Sequence, residues 1–94
     1  MRCDFVIFSE HALVKMAERG ISPEMVEQVI EKGEVIKTYP DDKPSPSQLL
    51  LGFFNTRPIH VLIARDIATD FCIVITTYFP DTNLWATNFK TKRL

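Results

Sequence analysis

The sequence predicts an α+β domain, an N-terminal helical hairpin packed on a four- to five-stranded, mainly antiparallel sheet. Three observations predict it. Two serine-capped stretches with apolar residues three and four apart fill the first third of the chain. After Gly33 the pattern changes to short runs rich in Val, Ile, Thr and aromatic residues. The breaks between the later runs have hairpin length, so neighbouring strands should run antiparallel.

Cys3–Phe8 reads as a short strand ahead of the first helix. Ser9 is placed to cap that helix, Glu10 suits the positive end of its dipole, and Gly20 is a natural stop. Leu13, Met16 and Ala17 form its expected core stripe, with Phe8 and Leu13 spaced as a hydrophobic staple. The second helix repeats the grammar, with Ser22 as cap, Pro23 in the first turn, Ile21 and Val26 as staple and Gly33 as stop. Met25, Val26, Val29 and Ile30 should form its core face.

Glu34–Tyr39 then reads as a strand, and the proline-rich segment Pro40–Ser47 as an extended loop. Gln48–Phe54, Ile59–Arg65 and Phe71–Phe79 are three further strands, the last long enough to lie inside the sheet. Simple alternation puts Thr76 and Tyr78 on one face of that last strand and Phe71, Ile73 and Ile75 on the other. Leu84, Trp85 and Phe89 in the tail suggest a short helix folding back on the sheet.

With 94 residues, 46% hydrophobic and 24% charged, the chain is one ordinary globular domain spanning residues 1–94. A net charge of −1 excludes a generally basic nucleic-acid coat protein. That total conceals a polarity. Six glutamates crowd the first 34 residues, whereas no acidic residue follows Asp81 and the chain ends Lys90-Thr91-Lys92-Arg93-Leu94. Cys3 and Cys72 fit no zinc spacing and are too few for a disulfide scaffold, so they are expected as buried thiols of a reduced, cytoplasmic protein. Neither a signal peptide nor an apolar run of membrane-spanning length is expected.

His11, Lys15 and Arg19 recur every four residues, a rotation of only about 40° per step, and so form one polar stripe on the first helix. Such a stripe suits a phosphodiester, with His11 as its proton-transferring group. It equally suits a solvated helix face. His60 interrupts an apolar strand on the face of Leu62 and Ala64, where it must either find a hydrogen-bond partner or serve as an acid or base. Tyr78 could hold a base or a phosphate, and Lys90, Lys92 and Arg93 could contact phosphate. Three glycines, Gly20, Gly33 and Gly52, make no phosphate loop, and no metal-ligand spacing occurs. What remains is metal-free chemistry by His, Lys, Arg and Tyr with no cofactor expected, or no chemistry.

From Phe8-Ser9-Glu10-His11-Ala12-Leu13 through Arg19-Gly20-Ile21-Ser22, Val29–Ile36, Tyr39-Pro40-Asp41-Asp42, Pro58-Ile59-His60-Val61 and Thr77-Tyr78-Phe79-Pro80-Asp81 to Trp85, the chain resembles a bacterial family catalogued as domain of unknown function 4258. Members of that family resemble small toxins of type II toxin–antitoxin systems, of the RelE, ParE and BrnT kind. The resemblance implies a RelE-like fold and cleavage of RNA without metal. The family's histidine, arginine and tyrosine positions fall on His11, Arg19, His60 and Tyr78. Lys15 stands where the pattern usually shows arginine, which keeps the charge but loses the bidentate fork.

The resulting expectation is a toxin-like ribonuclease acting on mRNA, free or held by the ribosome. His11 and His60 would share acid and base roles provided they meet, Arg19 and Lys15 would stabilise charge, and Tyr78 would position the substrate. The resemblance implies a cognate antitoxin carrying a zinc finger and a helix-turn-helix. The alternative is a non-catalytic inhibitor or interaction module of the same fold, which the weak overall charge favours. A third expectation is sheet-edge pairing with a second copy, giving a homodimer, or with an antitoxin segment.

Overall fold

The computed structural model describes all residues, Met1–Leu94. Strand β1 (Phe5–Phe8) leads into helices α1 (Glu10–Arg19) and α2 (Pro23–Lys32). Strands β2 (Glu34–Tyr39), β3 (Ser47–Phe54), β4 (Arg57–Asp66) and β5 (Phe71–Tyr78) follow, in the spatial order β1-β5-β4-β3-β2. The sheet is mixed. Its pairings β2–β3, β3–β4 and β4–β5 are antiparallel, whereas β1 runs parallel to β5.

Both helix starts are capped as their sequences dictate, the Ala12 amide donating to Ser9 Oγ and the Met25 amide to Ser22 Oγ. Gly20 adopts φ 69°, a left-handed stop that an L side chain rarely takes. Each helix docks on the sheet more than on the other: α1 packs against β5, and α2 against β3 and β4. The expected helical hairpin is thus two separately docked helices joined by a turn. They cover one face of the sheet, closing a core of Ala12, Met16, Ile21, Val26, Val29, Ile30, Leu50, Ile59, Val61, Ile63, Cys72 and Val74.

The core face of α1 is rotated from expectation. Ala12 and Met16 are buried, while Leu13 and Ala17 are exposed. Only α1's edge toward β5 meets the sheet, so an i, i+4 pair suffices to fill the contact. On α2 the expected Val26, Val29 and Ile30 are all buried.

The tail forms turns and one bridge, Trp85 to Lys92, and no helix. Asp81 Oδ1 accepts the Asn83 amide and Asn88 Oδ1 accepts the Lys90 amide, so these side chains divert backbone donors into local turns. Phe89 at φ 60° also takes the chain away from helical geometry. Trp85 is still a buried anchor, but Leu84 is exposed.

Cys3 and Cys72 form a disulfide, in place of the free thiols expected. Parallel pairing sets Val6 beside Cys72, and ahead of β1 the chain bends at Asp4, whose amide donates to the Asp70 carbonyl, so that Cys3 folds back to Cys72 across 69 residues of sequence. No helix is long and apolar enough to cross a membrane.

Candidate functional site

β4 carries Ile59, Val61 and Ile63 toward the helices, so alternation turns His60, Leu62 and Ala64 to the opposite face. There the tail crosses the sheet and buries His60 completely. Its Nε2 lies 2.7 Å from the Phe89 carbonyl and its Nδ1 lies 3.2 Å from the Tyr78 hydroxyl. A carbonyl can only accept, so Nε2 carries the hydrogen and Nδ1 accepts from the Tyr78 phenol. Trp85 meets the imidazole edge-on, with ring centres 4.4 Å apart.

Tyr78 reaches this face because β5 is bulged. The ladder runs from Ile63 opposite Val74 to Leu62 opposite Thr76, leaving Ile75 as an extra residue. One extra residue inverts the alternation beyond it. Thr76 and Tyr78 therefore share a face as expected, but it is the face of Ile73, which simple alternation puts opposite them, and Tyr78 stands against His60. Helix α1 satisfies two carbonyls of this segment. Ser9 Oγ donates to the Ile75 carbonyl at 3.1 Å, and an Arg19 guanidinium N–H donates to the Thr77 carbonyl at 2.8 Å. Between them, Thr77 Oγ1 donates to the His60 carbonyl at 2.8 Å.

Burial lowers the His60 pKa from its ordinary 6.5, although the hydrogen bond to the Phe89 carbonyl pulls it up. Burial likewise raises the Tyr78 pKa from 10.0; Tyr39 adds to that rise and Arg19 opposes it. Near neutrality both groups are uncharged, and the phenol keeps the proton it offers to His60.

Two clefts meet at Tyr78 and Trp85. One, of about 330 Å³, is walled by Arg19, Phe79, Asp81 and Leu84. The other, of about 430 Å³, is walled by Ile36, Lys37, Tyr39, Lys90, Thr91 and Lys92. Lys37 lies 5.4 Å from the Tyr39 ring centre, and Lys92 lies 5.8 Å from that of Trp85. Lys90 is 3.1 Å from the Glu34 carboxylate, whereas Lys92 has no carboxylate partner. Cations over aromatic faces make a surface suited to an anion attached to a flat ring.

Of the residues singled out in the sequence, Arg19, His60, Tyr78, Lys90 and Lys92 come together here. His11 does not. It is exposed on α1, on the helix-covered side, while His60 is buried on the other side under the tail. A shared acid–base role for the two histidines fails on this geometry. Lys15 pairs with Glu18 at 3.2 Å on the surface of α1. Arg93 holds the tail, its Nε donating to the Thr82 carbonyl at 2.8 Å. Lys37 and Tyr39 join the site without having been singled out, although their i, i+2 spacing on a strand already puts them on one face. No group of three or more His, Cys, Asp or Glu side chains is placed to hold a metal ion.

A family profile matches residues 8–79, from the residue before the Ser9 cap to the one after Tyr78. The chain belongs to that family, described as Domain of unknown function (DUF4258). Comparison with curated proteins and with solved structures gave no match. The matched part of this DUF4258 chain carries Arg19, Lys37, Tyr39, His60 and Tyr78, while the Trp85, Lys90 and Lys92 wall lies beyond it.

Proposed function

We propose that this protein is a metal-independent ribonuclease of the toxin kind, with a RelE-like fold, whose reacting group is Tyr78. The observation that carries the reading is the Tyr78 hydroxyl donating to Nδ1 of a neutral His60 at the junction of two clefts that hold Arg19, Lys37, Lys90 and Lys92. This is the arrangement of a hydroxyl beside a base whose second nitrogen is oriented by an acceptor.

In the proposed reaction the substrate's 2′-hydroxyl gives its proton to Tyr78 Oη as Tyr78 passes its own to His60 Nδ1. The 2′-oxygen bonds to the adjacent phosphorus and the bond from phosphorus to the 5′-oxygen breaks. Lys92 protonates the departing 5′-oxygen, leaving a 2′,3′-cyclic phosphate. Arg19 offsets the charge that builds on the phosphoryl oxygens, and the Phe89 carbonyl stabilises the imidazolium. Aromatic walls favour a single strand with splayed bases. An mRNA substrate places the protein in the cytoplasm, and a neighbouring antitoxin would restrain it.

The burial of His60 favours a second reading, a non-catalytic module that inhibits a protein target, because the imidazole exchanges protons only through Tyr78. Labelled single-stranded RNA incubated with purified protein in EDTA separates the two. Ribonuclease action gives fragments ending in a cyclic phosphate. Tyr78→Phe should lower the rate by about 10²-fold or more while RNA binding stays within a few-fold. Intact RNA in the presence of a well-folded wild-type chain overturns the catalytic reading and leaves the inhibitor.

A further inference from the structure

We infer that the cleft walled by Arg19, Phe79, Asp81 and Leu84 is a guanine-binding subsite, in which the Asp81 carboxylate selects the base. The subsite takes the nucleotide on the 5′ side of the cut in an RNA strand. That placement rests on the ribonuclease reading, whereas the choice of base does not.

Asp81 is the only acid lining either cleft at Tyr78, and the other charged groups there, Arg19, Lys37, Lys90 and Lys92, are all cations. An unpaired carboxylate repels a phosphate, so this corner of the site suits the donor edge of an uncharged group instead. Asp81 has no ion-pair partner, and its Oδ2 accepts no hydrogen bond. The residue is nevertheless held in place. Its Oδ1 accepts the Asn83 amide at 2.8 Å, and its carbonyl accepts the Leu84 and Trp85 amides at 3.0 and 2.9 Å. A turn of this kind needs only Oδ1, which asparagine supplies equally well. The second oxygen is left for a ligand.

The walls around the carboxylate are apolar. Phe79, Leu84 and Trp85 line the same cleft, and Leu84 leaves 59% of its surface to solvent. The Arg57 guanidinium carbon lies 3.4 Å from the centre of the Phe79 ring, which adds a cation at this end of the sheet. A volume of about 330 Å³ has room for one base. Aromatic walls beside a polar reader are the means by which single-stranded bases are held.

Guanine matches a carboxylate better than the other three bases do. Its Watson–Crick edge offers N1–H and the N2 amino group side by side, two parallel donors for two carboxylate oxygens. Asp81 Oδ1 keeps a second lone pair beside its bond to Asn83, so both oxygens can take part. Adenine and cytosine each offer one amino group next to a bare ring nitrogen. Uracil offers one N–H between two carbonyls, which a carboxylate repels.

The order of nucleotides follows from the proposed reaction. Lys92, which protonates the departing 5′-oxygen, lines the other cleft, so the nucleotide after the cut lies there. The nucleotide that supplies the 2′-hydroxyl lies on the Asp81 side of Tyr78.

Binding of the four nucleoside 3′-monophosphates, followed by the fluorescence of Trp85, the one tryptophan of the chain, tests the subsite. Guanosine 3′-monophosphate should bind about fivefold or more tighter than its uridine counterpart. It should also bind tighter than guanosine 5′-monophosphate. Asp81→Asn keeps the turn bond and should abolish the preference for guanine. RNAs that differ only in the nucleotide before the cut should be cleaved in the same order by wild type, and that order should vanish in Asp81→Asn. Equal binding of the four nucleotides, or a guanine preference that survives Asp81→Asn, overturns the inference. Tighter binding of the 5′ isomer would assign the cleft to a free nucleotide and overturn its place in the RNA. Guanine-selective binding with no RNA cut keeps the subsite and fails the ribonuclease reading, whereas cleavage indifferent to the preceding base does the reverse.

Discussion

Ser9 Oγ accepts the Ala12 amide and donates to the carbonyl of Ile75 at 3.1 Å, so one hydroxyl both starts α1 and holds the bulge that turns Tyr78 toward His60. Ser9→Ala removes both bonds and should cost about 1–2 kcal/mol. Ser9→Asp separates them, since aspartate caps a helix as well as serine but cannot donate to a carbonyl. Denaturant midpoints should place the aspartate variant between the alanine one and wild type. A fully stable Ser9→Asp chain would show that the bulge stands without this bond.

The neutral His60 gives stability a pH dependence of definite sign. The unfolded histidine takes up a proton near pH 6.5, the folded one only at lower pH. Between those values the unfolded chain binds more protons, so acid favours unfolding. The contribution is intact above about pH 6.5 and is lost as the pH falls from there toward the folded pKa. Tyr78 acts at the other end: its raised pKa contributes stability below about pH 10 that is lost as the pH rises beyond it. Melting temperatures across pH should show the acid fall in wild type and a flatter one in His60→Gln, on a lower baseline. Parallel acid limbs in the two proteins would remove His60 as the source.

His11 faces solvent on the side of the sheet away from His60, so the ribonuclease reading gives it no part in the reaction. His11→Ala should leave cleavage within about twofold, against a loss of about 10² or more for Tyr78→Phe. Equal losses in the two variants would return catalysis to the α1 surface.

Local chemistry makes the helix caps, the strands and the face of His60 readable in the sequence, because Ser9, Ser22, Gly20 and the Ile59–Arg65 alternation act within a few residues. What the sequence hides depends on register between distant segments. A single bulge at Ile75 inverts the facing of Tyr78, and no residue type announces it. The parallel β1–β5 pairing that joins Cys3 to Cys72 is equally silent, since 69 residues intervene. In the tail, apolar spacing suggests a helix, but the Asp81 and Asn88 side chains capture the backbone donors first. Of the four catalytic residues expected from the sequence, Arg19, His60 and Tyr78 converge, because Tyr78 pairs with His60 and Arg19 at the end of α1 reaches the neighbouring Thr77 carbonyl.

The contact between α2 and β3 leaves no room for a methyl group. A Cβ on Gly52 would lie 2.7 Å from Val29 Cγ2 and 3.0 Å from Val29 Cβ. Gly52→Ala should therefore cost about 1–3 kcal/mol by overpacking. Val29→Ala alone opens a cavity and also destabilises. Combined, each change relieves the other, so the double variant should be more stable than the sum of single effects by about 1 kcal/mol or more. Additive unfolding energies would show that the strand moves away from the helix instead. Gly33→Ala has no such remedy, because a Cβ there meets the Val29 carbonyl and, at 2.8 Å, the Leu51 carbonyl, both of them backbone.

The Cys3–Cys72 bond closes 69 residues and anchors β1 to β5, so opening it should cost about 2–4 kcal/mol, mostly through the freedom returned to the unfolded chain. Small domains hold about 5–15 kcal/mol in total. Action on mRNA would take place in a reducing compartment, where such a bond tends to open. The ribonuclease reading therefore requires that the reduced chain stay folded. Its core allows this: Val74, Ile63, Val61 and Met16 pack without reference to the sulfurs, and Cys72 remains a small buried apolar residue when reduced. Thermal unfolding with and without dithiothreitol should show a fall of about 4–8 °C per kcal/mol lost, with a single cooperative transition in both states. Cys3→Ser should reproduce the reduced curve and be insensitive to further reductant. Loss of the cooperative transition on reduction would confine the working protein to an oxidising compartment and remove mRNA as its substrate.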